Sequence, residues 1–317
     1  MTTEKKLAIL AVGGNSLITD EAHRTVEDQY AAVEETCRHI AGMVKQGWRV
    51  VVTHGNGPQV GFILRRSELA AHELHQVPLD SCGADTQGAI GYQVQRALYN
   101  EMKDWPERPV VATVVTQVLV DRRDPSFQKP SKPIGSFMSE TDATEHRDKD
   151  GWVVVEDAGR GFRRVVPSPR PKRILELEVI RRLVDDGTVV VAVGGGGIPV
   201  VEDEDGKLSG VWAVIDKDRA TSLLARELQV DLFLISTAVP QVAINYNKPN
   251  QQWLDRLTVV EAEAYYRQGH FAAGSMGPKI EAVIAYLRAY PEGQALITDP
   301  ANIARALDGE TGTWITA

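Results

Sequence analysis

The chain has 317 residues, 43% of them hydrophobic and 25% charged, which excludes a disordered or fibrous class and allows a substantial core. A net charge of −8 with no long basic run argues against broad binding to nucleic acid or to a membrane surface. Two cysteines, Cys37 and Cys82, cannot make a disulfide framework and lack metal-ligand spacing.

In chain order, the apolar run Leu7 to Val12 reads as a buried strand that empties into Gly13, Gly14 and Asn15. No apolar signal segment precedes Leu7 and no run approaches membrane-spanning length, so the cytoplasm is the expected compartment. Helical periodicity runs from about Val26 to Gln46, with Val33, Cys37, Ile40 and Val44 on one stripe and Gly47 as a stop. Cys37 is therefore expected in the core. A second strand begins near Trp48 and ends in His54, Gly55, Asn56 and Gly57, and a helix follows Pro58. His54 reads as a hydrogen-bonding organiser of that loop rather than a base. Cys82 has no evident activating partner, and a lining or structural role is expected. A helix spans roughly Thr86 to Met102, and Val110 to Val120 reads as one buried strand.

The alternation of strand and helix breaks between Asp121 and Arg173, where prolines recur, charge is dense and only short strands are expected. Trp152 to Glu156 and Phe162 to Val166 flank a turn-rich Asp157 to Gly161 and predict a hairpin, so this stretch is expected to be a lid or small subdomain. Alternation resumes with a helix near Ile174 to Asp185, the strand Val189 to Val193, and four successive glycines, Gly194, Gly195, Gly196 and Gly197. Lys207 to Val211 is expected to close a second hairpin. A helix near Asp218 to Gln229, a strand Asp231 to Ser236, helices near 258–267, 279–290 and 302–307, and a closing strand at 313–316 complete the reading.

Three buried strands that each end in glycines suggest one anion-binding cleft at the carboxyl ends of a parallel sheet. Each loop alone is equally compatible with a tight turn, but four glycines in a row carry an entropy cost best explained where side chains would obstruct something. Lys217, between Asp216 and Asp218, and Lys279, after Pro278, both open helices. Lysine opposes the helix dipole there unless an anion is bound. Neither a G-x-x-x-x-G-K-[ST] loop nor a dinucleotide-type G-x-G-x-x-G is present.

The segments Gly13 to Leu17, Thr53 to Gly61, Pro78 to Gly83 with Gln87 to Gly91, Lys132 to Gly135, Arg163 to Pro169, Gly194 to Pro199, Ala213 to Asp218, Ile244 to Tyr246, Lys248 to Gln251, and Gly269 to Phe271 with Ala273 to Lys279 resemble the carbamate kinases of the amino-acid kinase family, nearly end to end. His54 to Gln59 followed by Gly274 to Lys279 is the most specific pairing. The resemblance implies a three-layer αβα sandwich with a mainly parallel, about eight-stranded open sheet and a small protruding subdomain. It implies a single domain over 1–317 in two lobes: 1–185 on the carbamate side, including a lid at 121–170, and 186–317 on the nucleotide side. A homodimer is implied too.

By the same resemblance, Lys132, Lys217 and Lys279 stabilise transferring phosphoryl, with Asp216 and Asp218 orienting the lysines. Gly13, Gly14, Asn15, Gly55, Asn56 and Gly57 cradle carbamate. Gly194 to Gly197 approach the nucleotide phosphates, and Tyr246, Met276, Gly277 and Pro278 border the nucleotide. Mg2+ arrives with ATP or ADP, held mainly by phosphates and not by a protein metal site. Trp212, Arg219 and Ser136 depart from the family's usual residues without removing a charged position. An acid kinase acting on an amino-acid carboxylate, or a nucleotide-binding regulator without turnover, are the competing readings. A nicotinamide oxidoreductase stands third, disfavoured by the missing glycine fingerprint.

Overall fold

The structure is a computed structural model that describes residues 6–13, 25–156, 161–272 and 274–317. Strand β1 (Leu7–Val12) is buried on both faces, and its side chains alternate between two cores. Leu7, Ile9 and Ala11 enter one core; Ala8, Leu10 and Val12 enter the other. Two apolar faces on one strand require cover on both sides, which explains why the run is continuously hydrophobic. β1 pairs in parallel with β2 (Arg49–His54) and with β12 (Leu232–Ser236).

β9 (Val189–Val191) lies between β2 and the edge strand β3 (Val111–Thr113), all parallel. On the other side β16 (Gln294–Thr298) continues the parallel run, and β17 (Thr313–Thr316) turns antiparallel, with β15 (Arg256–Thr258) beyond it. The result is an eight-stranded, mainly parallel sheet, the fold class expected from the sequence. Helices α1 (Val26–Lys45) and α3 (Leu79–Glu101) cover one face. Helices α6 (Lys217–Leu228) and α8 (Met276–Ala289) cover the other. Cys37 is 1% exposed on the predicted stripe of α1. No helix among the described residues is long and apolar enough to cross a membrane.

Three sequence expectations are corrected. The run Val110 to Val120 is not one strand: it splits at Val114–Thr116 into β3 and β4 (Gln117–Val120), which belong to different sheets. Helix α3 starts at Leu79, seven residues before the predicted Thr86. Gly83, Gly88 and Gly91 lower its intrinsic propensity, but Gly91 is required, since a Cβ there would lie 2.4 Å from a Thr113 methyl. The excursion holds more than short strands. It contains a seven-residue strand β5 (Lys132–Met138) and helix α4 (Glu140–Asp150), whose only buried residue is Ala143, so it leaves no apolar stripe to read. The predicted hairpin forms, with β6 (Val154–Glu156) antiparallel to β7 (Phe162–Val166); its turn at 157–160 lies outside the described residues.

β5, β7 and β6 make a three-stranded sheet seated on α2 (Gly57–Leu69). The seat is tight at Gly61, where a Cβ would fall 2.3 Å from the backbone of Gly135. A small core of Val60, Leu64, Leu79, Cys82, Ile134, Val166 and Val214 joins this subdomain to α2, α3 and the loop that leads into α6. Cys82 is fully buried in it, and burial together with Asp85 and Asp80 pushes its thiol up to about 11. Arg164 of β7 adds an ion pair with Glu68 at 2.6 Å and stacks on Trp152 at 4.2 Å.

Candidate active site

Helix α6 starts at Lys217 because Asp216 caps it: Asp216 Oδ1 accepts from the amides of Asp218 at 3.0 Å and Arg219 at 3.2 Å. The other oxygen of Asp216 accepts from Lys132 Nζ at 2.6 Å, so the capping residue also holds the subdomain's lysine. Asp218 likewise serves two partners. Its Oδ1 accepts from Lys217 Nζ at 2.6 Å and its Oδ2 from Lys279 Nζ at 3.1 Å. Lys279 sits in the first turn of α8, after Met276, Gly277 and Pro278.

Three ammonium groups thus surround two carboxylates at the adjacent starts of two helices, a local surplus of one positive charge before the helix dipoles are added. The group is largely dry, with Lys217 8% and Asp218 4% exposed. Burial lowers the Lys217 pKa, aided by Lys279 and opposed by Asp218. Burial works to raise Asp218, yet Lys217 and Lys279 hold it below its ordinary value. In Asp216 burial is again outweighed, here by Lys132 first, and the carboxyl stays well below the usual range. The cluster is preset to meet an anion while remaining charged.

The glycine loops converge on this cluster. The Gly55 amide donates to the Val12 carbonyl at 3.1 Å, which joins the carboxyl ends of β1 and β2, and a Cβ on Gly55 would lie 3.8 Å from the Lys217 stem. Gly57 opens α2, with Asn56 as its N-cap residue and Asn56 Nδ2 donating to Thr86 Oγ1 at 2.9 Å. Gly13 packs over the Ser236 carbonyl, where a Cβ would come within 2.7 Å. Gly14 and Asn15 lie outside the described residues.

Gly194 to Gly197 are buried against protein atoms. A Cβ would meet His54 at Gly194, Asn56 at Gly195, the Ile215 carbonyl at Gly196 and Val118 at Gly197, each within 2.4 Å. Gly195, Gly196 and Gly197 have φ values of +66°, +92° and +88°, and Val193 before them holds +52°, a strained value for a β-branched residue. Packing therefore accounts for the absence of side chains in this turn. Tyr246 is 49% exposed after β13 (Val242–Ile244) and packs edge-on to Trp253, whereas Met276 is partly buried against the core.

Several residues that organise the site were not singled out in the sequence. Thr221 Oγ1 donates to the Lys217 carbonyl at 2.8 Å and lies 2.7 Å from Thr53 Oγ1, so a buried hydroxyl chain ties β2 to the start of α6. Gln87 Nε2 donates to the carbonyls of Gly194 and Thr116, and its Oε1 accepts from the Thr116 amide. Glu281 accepts from Arg219 at 2.9 Å, which fixes α8 against α6. Isolated polar residues on buried faces carry no periodic signal; only Gln87, within a glycine-spaced segment, offered one. Among the described residues no group of three or more His, Cys, Asp or Glu side chains is placed to hold a metal ion.

The sequence model of the Amino acid kinase family matches residues 6–297. Carbamate kinase of Thermococcus kodakarensis is 46% identical over 314 residues, covering 98% of this chain and 99% of its own. A carbamate kinase-like protein of Escherichia coli, YahI, is 48% identical with the same coverage. The structure of carbamate kinase from Giardia lamblia bound to AMP-PNP superimposes with a TM-score of 0.89 at 42% identity, covering 98% of both chains.

Proposed function

The chain belongs to the amino acid kinase family, and we propose that it acts as a carbamate kinase, moving a phosphoryl group reversibly between ATP and carbamate. The observation that carries this reading is the five-charge cluster of Lys132, Asp216, Lys217, Asp218 and Lys279 beside the loop at 55–57. Full-length relatives named carbamate kinase support the choice of acceptor.

In the forward direction a carbamate oxygen attacks the γ-phosphorus, a new O–P bond forms, and the bond from the γ-phosphorus to the β,γ-bridging oxygen breaks. The nucleophile is already an anion, so no base has to remove a proton. The obstacle is repulsion between two anions, and the protein's part is positioning and charge stabilisation. Lys217 and Lys279, held apart by the shared Asp218, serve the transferring group and the leaving oxygen. Lys132 adds its charge from the subdomain side. Gly13, Gly55, Asn56 and Gly57, with Gly14 and Asn15, cradle carbamate, the Gly55 amide itself being taken by the Val12 carbonyl, and Gly194 to Gly197, Tyr246, Met276, Gly277 and Pro278 form the nucleotide side. Asp216 and Asp218 are engaged by lysines, which fits a Mg2+ that enters on the nucleotide and neutralises its phosphates.

Carbamoyl phosphate is a mixed anhydride, so the favoured direction is ATP synthesis, which suits nitrogen catabolism such as arginine breakdown in the cytoplasm. Lobes at 1–185 and 186–317, with 121–170 as lid, follow the split between the two substrates. A homodimer is supported by the open edge at β3, where Val110 is 70% exposed beside the exposed Tyr92 and Tyr99 of α3.

The test is a comparison of phosphoryl donors with ADP: carbamoyl phosphate supports ATP formation, and acetyl phosphate or an acylated amino-acid phosphate supports it far more slowly. Preference for an amino-acid acyl phosphate overturns the assignment.

A further inference from the structure

His54 closes β2 and is 1% exposed. Its Nδ1 lies 2.9 Å from the Gly55 carbonyl oxygen. A carbonyl only accepts, so Nδ1 carries the proton, and the neutral ring presents a buried Nε2 that has no hydrogen-bond partner among the described residues. That nitrogen faces Gly194: a Cβ there would stand 2.4 Å from Nε2 and 2.7 Å from Cε1. The next pair repeats the arrangement, with a Gly195 Cβ falling 2.3 Å from Asn56 Nδ2. Side chains of the first loop occupy the space that side chains of the second would need. Gln87 and Thr116 also fasten the second loop, through the Gly194 carbonyl and the Val193 amide, and Gln87 Cγ would stand 3.1 Å from the same Gly194 Cβ.

We infer that His54 is a positioning residue that locks the loop at 55–57 to the turn at 194–197, and that Gly194 is glycine to admit this imidazole. The inference rests on the phosphoryl-transfer reading of the site. A carbonyl held against the ring turns the N–H of the same planar peptide, that of Asn56, away from the imidazole. His54 thereby fixes the orientation of the 55–56 peptide, directly beside the Lys217 stem, without itself touching substrate.

Four variants test this: Gly194→Ala, His54→Asn, His54→Leu and the double variant His54→Asn with Gly194→Ala. Asparagine places an amide donor where Nδ1 stands but lacks the atoms that would meet a Cβ at 194. Gly194→Ala is expected to melt lower and to lose about tenfold in turnover, and the double variant to regain most of the melting temperature. His54→Asn is expected to hold KM for carbamoyl phosphate within about threefold, while His54→Leu, which cannot donate, raises it about tenfold with KM for ADP unmoved. A double variant no more stable than Gly194→Ala, or His54→Leu matching His54→Asn in both constants, overturns the inference. A wild-type protein inert toward carbamoyl phosphate defeats the functional reading instead, and the melting-temperature coupling still decides whether positions 54 and 194 share one space. If His54→Leu does not fold, the double variant carries the test.

Discussion

Lys132 Nζ lies 2.6 Å from Asp216 Oδ2, so a residue of the protruding subdomain is bonded to the capping residue of the helix that begins at Lys217. The contact brings together positions 84 apart in the chain. It places the third lysine of the site on an element that could otherwise move independently.

Because Asp216 performs two tasks, they can be separated. Asn caps helices about as well as Asp, so Asp216→Asn should keep the cap while lowering turnover roughly tenfold through loss of the carboxylate that holds Lys132. Asp216→Ala should lose the same activity and a further ~1 kcal/mol from the uncapped helix. Chemical denaturation and initial rates on both variants check this. Equal stability losses in the two would show that the cap is not what Asp216 contributes.

Lys217→Ala removes the most buried of the three ammonium groups and leaves Asp218 with Lys279 alone. Turnover should fall about 10²-fold or more, the scale of losing one preorganised stabiliser of developing charge. Circular dichroism must show the variant folded for the comparison to count. Near-normal turnover in a folded variant contradicts the role given to Lys217.

Gly61→Ala tests the seat of the subdomain at a distance from the chemistry. The new methyl would fall on the Gly135 backbone at 2.3 Å, and backbone cannot rotate out of the way. β5 should be displaced from α2 and carry Lys132 with it, costing about 1–3 kcal/mol in stability and at least ~10-fold in turnover. Unchanged rates would mean that the placement of Lys132 does not depend on this contact.

Stability should respond to pH through His54. Burial, with Lys217 adding to it and the Gly55 carbonyl opposing, lowers its pKa from 6.5 to about 4. The unfolded chain therefore takes up the proton first as pH falls. Stability is full above 6.5 and is lost as pH drops from 6.5 toward 4, on the order of 3 kcal/mol from this group. His54→Asn has nothing to titrate there and should show a flatter dependence in denaturation measured at each pH. Parallel curves would contradict the buried neutral imidazole.

Most of the sheet was legible because its strands are buried on both faces. β1, β2 and β9 read as continuous apolar runs, and each ends where a glycine loop begins. The split of 110–120 into β3 and β4 was not legible, since both halves are β-branched and their separation is a matter of which sheet each joins. α4 escaped notice because it buries one alanine. In the site, charge out of place along a helix exposed Lys217 and Lys279, whereas Lys132 was legible only through family resemblance and its bond to Asp216, being purely tertiary, only in the structure. The glycines at 194–197 signalled obstruction, but the sequence could not say by what: the atoms in the way include those of His54 and Asn56.

The central claim is that three lysines and the glycine loops let carbamoyl phosphate hand its phosphoryl group to ADP. Phosphorus NMR of carbamoyl phosphate, ADP and Mg2+ with the wild-type protein and with Lys217→Ala measures that transfer directly. The account predicts growth of the ATP γ-phosphate resonance at the expense of carbamoyl phosphate with the wild type, and a rate about 10²-fold lower with the variant. Absence of ATP with the wild type, or equal rates for the two proteins, would contradict it.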